Sequence, residues 1–116
     1  MHLVIISRAA PAARVAALEA IDTALAAAAF DQQVTLLLTG DGVWQAAAAQ
    51  APADAASVAS KLSGLSWFEV EDLRVDAGAL TERGLAAEDL IEAVTVTDDA
   101  AITELLATAD AVVSYP

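Results

Sequence analysis

The sequence predicts an α/β fold: one three-layer α/β/α domain built on a five-stranded parallel sheet. Three observations carry this expectation. Short runs of β-branched and aliphatic residues recur five times along the chain. The segments between them have helical spacing or alanine-rich helical composition, and no connection is a long structureless loop. The length, 116 residues, suits a single domain over 1-116 with little room for a second.

The first run, Leu3 to Ile6, is continuously apolar, the pattern of a strand buried on both faces. Pro11 fits the first turn of a helix. From Ala12 to Ala29 the large residues Leu18, Ile21 and Leu25 share a stripe, with Val15 at its edge and Glu19 and Thr23 off it. That spacing predicts an amphipathic helix. "QQVTLLLTG" reads as the second buried strand, ending near Thr39, and "DGVWQAAAA" as a turn leading into a short helix.

In "APADAASVASKLSG" Ala55, Val58, Ala59 and Leu62 recur at helical spacing and Gly64 stops the helix. "SWFEV" fits either loop or strand, and "EDLRV" is the third strand. "DAGALTERG" then reads as a helix opened by Asp76 and stopped by Gly84, "AAEDL" as one helical turn, and "EAVTV" as the fourth strand. Thr97 is expected to cap a helix with Asp98 and Asp99 in its first turn, where negative charge suits the helix dipole. Ile102, Leu105, Leu106 and Ala109 form that helix's apolar stripe, and "DAVVSY" closes the sheet.

Composition excludes several functions. The net charge is −12, from 17 acids against five bases (Arg8, Arg14, Lys61, Arg74, Arg83) that form no cluster. Direct nucleic-acid binding and adhesion to anionic membranes both depend on clustered cations and are not expected. The chain is 58% hydrophobic, much of it alanine, which contributes little area when buried. The core is therefore expected to rest on Leu, Ile, Val, Phe and Trp. There is no cysteine, which rules out disulfides, thiolate metal sites, a cysteine nucleophile and persulfide carriage on this chain. "MHLVIIS" lacks the features of a signal peptide, and Arg14, Glu19 and Asp22 interrupt the alanine-rich run, so a cytoplasmic protein with no membrane span is expected.

Few residues suggest chemistry. Asp76 stands where a strand meets a helix, the place in parallel α/β proteins where sites form. It reads either as a helix cap or as a receiver-type phospho-acceptor. The second reading needs further acids for Mg²⁺ and a cation for the phosphoryl group, whereas the first strand ends in Ser7-Arg8 and the last in "VVSYP". Gly40, Asp41 and Gly42 follow the second strand and could bring N–H groups to a phosphate, but Asp41 opposes an anion and tight turns use the same residues. His2, the one histidine, reads as a solvated residue near the terminus. No metal site, cofactor or nucleophilic triad is expected. Trp44, Trp67 and Phe68 read first as core volume, and alternatively as interface anchors.

Four segments in order, "LVIISRAAP", "AIDTALAAAAFD", "LLLTGDGVWQ" and "DAGALTERGL", resemble the DsrE/DsrF-like sulfur-relay family, and within it the TusC (DsrF-like) branch. The likeness runs from about Leu3 to Tyr115. It implies a five-stranded α/β/α domain and a heterohexamer with TusB-like and TusD-like subunits, passing persulfide sulfur toward 2-thiolation of a tRNA wobble uridine. The sulfur-carrying cysteine would belong to the TusD-like subunit. Family members can carry a cysteine eight residues before the glycine of "LxxRG", and in this chain that position is Asp76.

The expectation is thus a non-catalytic scaffold. Gly40, Asp41, Gly42, Val43, Trp44, Trp67 and Phe68 are its candidate interface or cleft residues, and no direct nucleic-acid contact is expected. The alternatives are a DsrF-like subunit of a sulfur-oxidation complex and a stand-alone domain binding a small ligand.

Overall fold

The computed structural model describes residues 1–48 and 53–116. Five strands form one sheet: β1 (His2–Ser7), β2 (Gln33–Leu38), β3 (Asp72–Asp76), β4 (Thr95–Thr97) and β5 (Ala111–Tyr115). Their order is β4-β3-β2-β1-β5, and every neighbouring pair is parallel. Among the described residues four α-helices connect them: α1 (Arg14–Ala29), α2 (Ala53–Ser63), α3 (Ala77–Glu82) and α4 (Asp99–Thr108). Residues Gly40–Ala46, Leu65–Phe68 and Ala87–Asp89 form 3₁₀ turns. Among the described residues no helix is long and apolar enough to cross a membrane.

The layers follow from connection handedness. The first three crossovers step from β1 toward β4 and lie on one face; the return from β4 to β5 lies on the other. Side chains alternate to match. Ile5, Leu36, Leu38, Leu73 and Val75 share a large core with residues of α1, α2 and α3. Val4, Ile6 and Leu37 point the opposite way and meet Leu105 of α4, flanked by Ile102, Leu106 and Ala109. The five-stranded parallel sheet between helical layers is the architecture read from the sequence.

Several details depart from that reading. Helix α1 begins at Arg14 rather than Ala12, because Pro11 is buried in a turn closed by Ala13 N–H donating to the Ala10 carbonyl. Its buried seam is Ala17, Ala20, Ile21, Ala24 and Ala28, so of the expected stripe Ile21 alone lies in the seam. Leu18 and Leu25 flank the seam, partly buried, and Val15 is exposed. Small side chains let the helix backbone approach the sheet closely, so the shortest residues occupy the line of contact.

The ambiguous "SWFEV" contributes to a 3₁₀ turn, and the third strand starts at Asp72. The expected start of the second connecting helix at Ala51 and Pro52 lies outside the described residues, as does the end of the "DGVWQAAAA" segment at Ala49. Ala55 falls where side chains are not described; Val58, Ala59 and Leu62 are buried as expected. Strand β4 is shorter than "EAVTV", because Glu92 and Ala93 form a turn and only Thr95–Thr97 pair with β3. Thr97 is the buried last residue of that strand, and Asp98 caps α4 instead, accepting from Ala101 N–H at 2.9 Å.

The aromatics are the largest departure. Trp67, Phe68, Phe30 and Trp44 are 86%, 64%, 79% and 39% exposed, so the core is aliphatic rather than filled by these rings. Cover is also unequal. Neither layer seals β5: Val112, beside Val4 on the α4 side, and Val113, beside Ile5 on the α1 side, are both exposed.

His2 is not a free terminal side chain. Thr35 Oγ donates to Asp72 Oδ2 at 2.7 Å, which uses its single proton. The 2.8 Å contact between His2 Nε2 and Thr35 Oγ must then be donated by the imidazole. Arg74 Nε closes the row on Asp72 at 3.0 Å. This polar chain crosses β1, β2 and β3 on the α4 side, and Thr35 within it is fully buried.

The alanine seam makes a prediction. Ala24→Leu forces a larger side chain into the contact between α1 and the sheet and should destabilise by about 1–3 kcal/mol. Ala26→Leu, on the exposed side of the same helix, should change stability by no more than about 0.5 kcal/mol. Urea midpoints of the two variants separate the seam from a general effect of enlarging alanine.

Candidate functional site

The carboxyl ends of the parallel strands bring the candidate residues of the first half of the chain together. Strand β2 runs out at Leu38, and Thr39 turns the chain into the 3₁₀ segment Gly40–Ala46. Gly42 makes this possible. A Cβ built there would lie 2.2 Å from the Ser7 carbonyl oxygen, closer than any side chain tolerates, so the turn presses directly on the end of β1. Gln45 locks it from inside: its Nε2 donates to Ser7 Oγ at 3.0 Å and to the Ala9 carbonyl at 2.8 Å, and both Gln45 and Ser7 are buried.

One strand further on, Asp76 ends β3 and opens α3. Its Oδ1 accepts from Gly78 N–H at 3.0 Å and Ala79 N–H at 3.5 Å. Its Oδ2 accepts from Thr39 Oγ at 2.7 Å. The carboxylate therefore satisfies a helix start and ties it to the end of the neighbouring strand.

Arg83 fastens the other end of α3 to the same turn. Its Nε and Nη2 donate to Asp41 Oδ1 at 3.1 and 3.0 Å, and its Nη1 to the Ala79 carbonyl at 3.1 Å. Because the Asp41 side chain is 65% exposed, this ion pair contributes at most about 1 kcal/mol, and its main effect is positional.

The candidate residues thus divide. Val43 is fully buried in the main core and Gly42 is buried against β1, so both shape the turn. Gly40 is half-buried, while Asp41 and Trp44 face solvent. Trp44 lines a shallow groove with Ala47, Leu85, Glu88 and Asp89. Trp67 and Phe68 are not part of this cleft. They precede β3 and lie at the amino end of the sheet, in a groove with Leu25 and Ala28 of α1.

Sequence reasoning passed over Ser7, Thr39, Gln45 and Arg83. The available signal was a lone glutamine beside an alanine run, "VWQAAAA". Among the described residues no three of His, Asp and Glu are grouped to hold a metal ion. What the cleft offers is a shallow surface with Glu88 and Asp89, the Asp41–Arg83 pair, one exposed indole and no side-chain thiol.

Comparisons with known proteins bear on the chain as a whole. The profile described as the DsrE/DsrF-like family matches residues 1–115. A protein TusC homolog from Pseudomonas aeruginosa is 45% identical over 97% of this chain and 96% of its own length. The intracellular sulfur oxidation protein DsrF of Allochromatium vinosum is 33% identical over 95% of this chain and 93% of its own. The crystal structure of the ychN protein from E. coli superposes with a TM-score of 0.84 over 98% of both chains, at 20% identity, a likeness of fold.

Two substitutions test the architecture of the cleft. Gly42→Ala should destabilise by about 3 kcal/mol or more, because the clashing neighbour is backbone and cannot swing away. Asp76→Ala, which strips the cap and leaves Thr39 without its acceptor, should cost about 0.5–2 kcal/mol. Asp76→Asn should cost less, since the amide oxygen still accepts from α3 and its NH₂ can donate to Thr39. Chemical denaturation of the three variants checks this order.

Proposed function

The chain belongs to the DsrE/DsrF-like family, and from that premise we propose that it is a TusC-like, non-catalytic subunit of a cytoplasmic sulfur-relay complex. In this reading it scaffolds a cysteine-bearing TusD-like partner, with a TusB-like chain completing a heterohexamer. The complex passes persulfide sulfur toward 2-thiolation of the tRNA wobble uridine. The observation that carries the reading is the 45% identity to a TusC homolog across nearly the full length of both chains.

Chemistry supports a scaffold over a carrier. Persulfide relay needs a nucleophilic thiolate, and the sequence holds no cysteine. Asp76 occupies the position read as the family's cysteine. A thiol there would gain acidity from the N–H groups that open α3; the Asp76 carboxylate holds those groups instead. The role left to this chain is shape: Gly42 and Val43 hold the turn, and Gly40, Asp41 and Trp44 present it to the partner's thiol region. No cofactor, metal or direct nucleic-acid contact belongs to this reading.

A DsrF-like role in a sulfur-oxidation complex is the second reading, favoured by the 33% identity to the Allochromatium protein. The two differ in the acceptor the complex serves, not in the chemistry of this chain.

Co-expression with the TusB-like and TusD-like chains of the same genome, followed by native mass spectrometry, tests the assembly. A defined complex holding all three chain types is the expected outcome; a monomer indifferent to both would overturn the reading. Within the complex, Asp76→Asn should leave sulfur transfer from the partner cysteine unchanged within about twofold, because an amide oxygen still caps α3. Loss of transfer in an intact complex carrying Asp76→Asn would mean that the carboxylate takes part in the chemistry.

A further inference from the structure

Among the described residues three helix ends share one hydrogen-bond pattern. After α1, Asp31 N–H donates to the Ala28 carbonyl and Gln32 N–H to Ala27. After the turn Leu65–Phe68, Glu69 N–H donates to Ser66 and Val70 N–H to Leu65. After α3, Gly84 N–H donates to Thr81 and Leu85 N–H to Leu80. This paired pattern puts the residue at its centre in the left-handed region, where glycine is the default. The third site has glycine, at φ 68°. The first two have Asp31 at φ 61° and Glu69 at φ 69°, the only non-glycine residues at positive φ among those described.

Both exceptions border the same groove. Its floor is Leu25 and Ala28 of α1, its wall is Trp67 and Phe68, and Asp31 and Glu69 stand on its rim. Trp67 is the most exposed large hydrophobic residue of the protein's described part, at 86%. Among the described residues neither rim carboxylate has a hydrogen bond or ion pair of its own. Left-handed backbone disfavours any side chain other than glycine, and glutamate more than asparagine or aspartate. Backbone strain persists where the surrounding structure holds it and clusters at sites that bind or switch, so a strained glutamate beside an exposed ring is a reason to look for a partner.

We infer that this groove is a docking site for a different protein chain, one that inserts an apolar side chain against Trp67 and brings Lys or Arg to Asp31 and Glu69. The inference rests on the subunit reading above. Charge complementarity selects the occupant. The groove carries two carboxylates and no base, and the chain as a whole has a net charge of −12, so a second copy would meet it with like charge. The groove lies at the amino end of the sheet, opposite the Asp76 cleft, which lets one subunit hold two neighbours at once. Trp67 supplies the desolvated anchor, and the two carboxylates set orientation and association rate.

The test separates stability from docking. The double variant Asp31→Gly/Glu69→Gly relieves the backbone and should melt about 3–6 °C higher than the parent. Asp31→Asn/Glu69→Gln keeps the size of both side chains and removes only charge. With the co-expressed TusB-like and TusD-like chains as the probe, both double variants should raise the dissociation constant about five- to tenfold and flatten its salt dependence. Trp67→Ala should raise it about thirtyfold or more, with little change in melting temperature.

Double variants that bind as tightly as the parent would overturn the docking role while leaving the subunit reading intact. A parent chain that joins neither partner would overturn both. A glycine variant that melts lower than the parent would overturn the argument that these acids are held at the fold's expense.

Discussion

Strands β1 and β2, joined along six residue pairs and shut off from water on both faces, position everything else in the molecule. Val4, Ile5, Leu36, Leu37 and Leu38 are buried almost completely, and alternate residues feed the two helical layers. A parallel ladder needs both faces covered, since each strand is apolar on each side. Helices α1 and α4 meet that need from opposite directions. Gly42 and Gln45 then grip the end of β1, so the candidate cleft is fixed to the strand pair by backbone contact and buried hydrogen bonds rather than by flexible loop contacts.

The two edges of the sheet have different characters. At the carboxyl edge, polar groups are consumed locally: Asp76 by α3 and Thr39, Asp41 by Arg83. At the amino edge, Asp72 is consumed by Thr35 and Arg74, while Asp31 and Glu69 stand beside exposed rings without a side-chain partner among the described residues. One edge is built to hold its shape and the other to present charge.

Much of this was legible in the sequence, and the failures have physical causes. The strands announced themselves because a strand buried on two faces must be apolar throughout, as in "LVII" and "TLLL". The cap at Asp76 was legible because a short acceptor before a helical run has few other uses. The seam of α1 is not legible from bulk, because close approach to the sheet selects Ala17, Ala20, Ala24 and Ala28, and of the large residues Ile21 alone joins them. The aromatics misled for the same reason: Trp67 and Phe68 have apolar bulk, but they sit in a 3₁₀ turn past the end of α2, where no layer lies above them. Long-range partners such as Thr39 with Asp76, or Gln45 with Ser7, leave no local trace, because the groups are brought together only by strand order.

The alanine seam of α1 has a thermodynamic consequence. The heat-capacity change of unfolding grows with the apolar area released to water, by about 0.45 cal/K/mol for each Å². Ala17, Ala20, Ala24 and Ala28 release little area each, although together they carry the main contact between the largest helix and the sheet. Apolar content counted by residue therefore overstates the heat-capacity change to be expected at this seam: each alanine adds to the hydropathy of the sequence more than to the area released, and the share of cold sensitivity that comes from the α1 contact is correspondingly small.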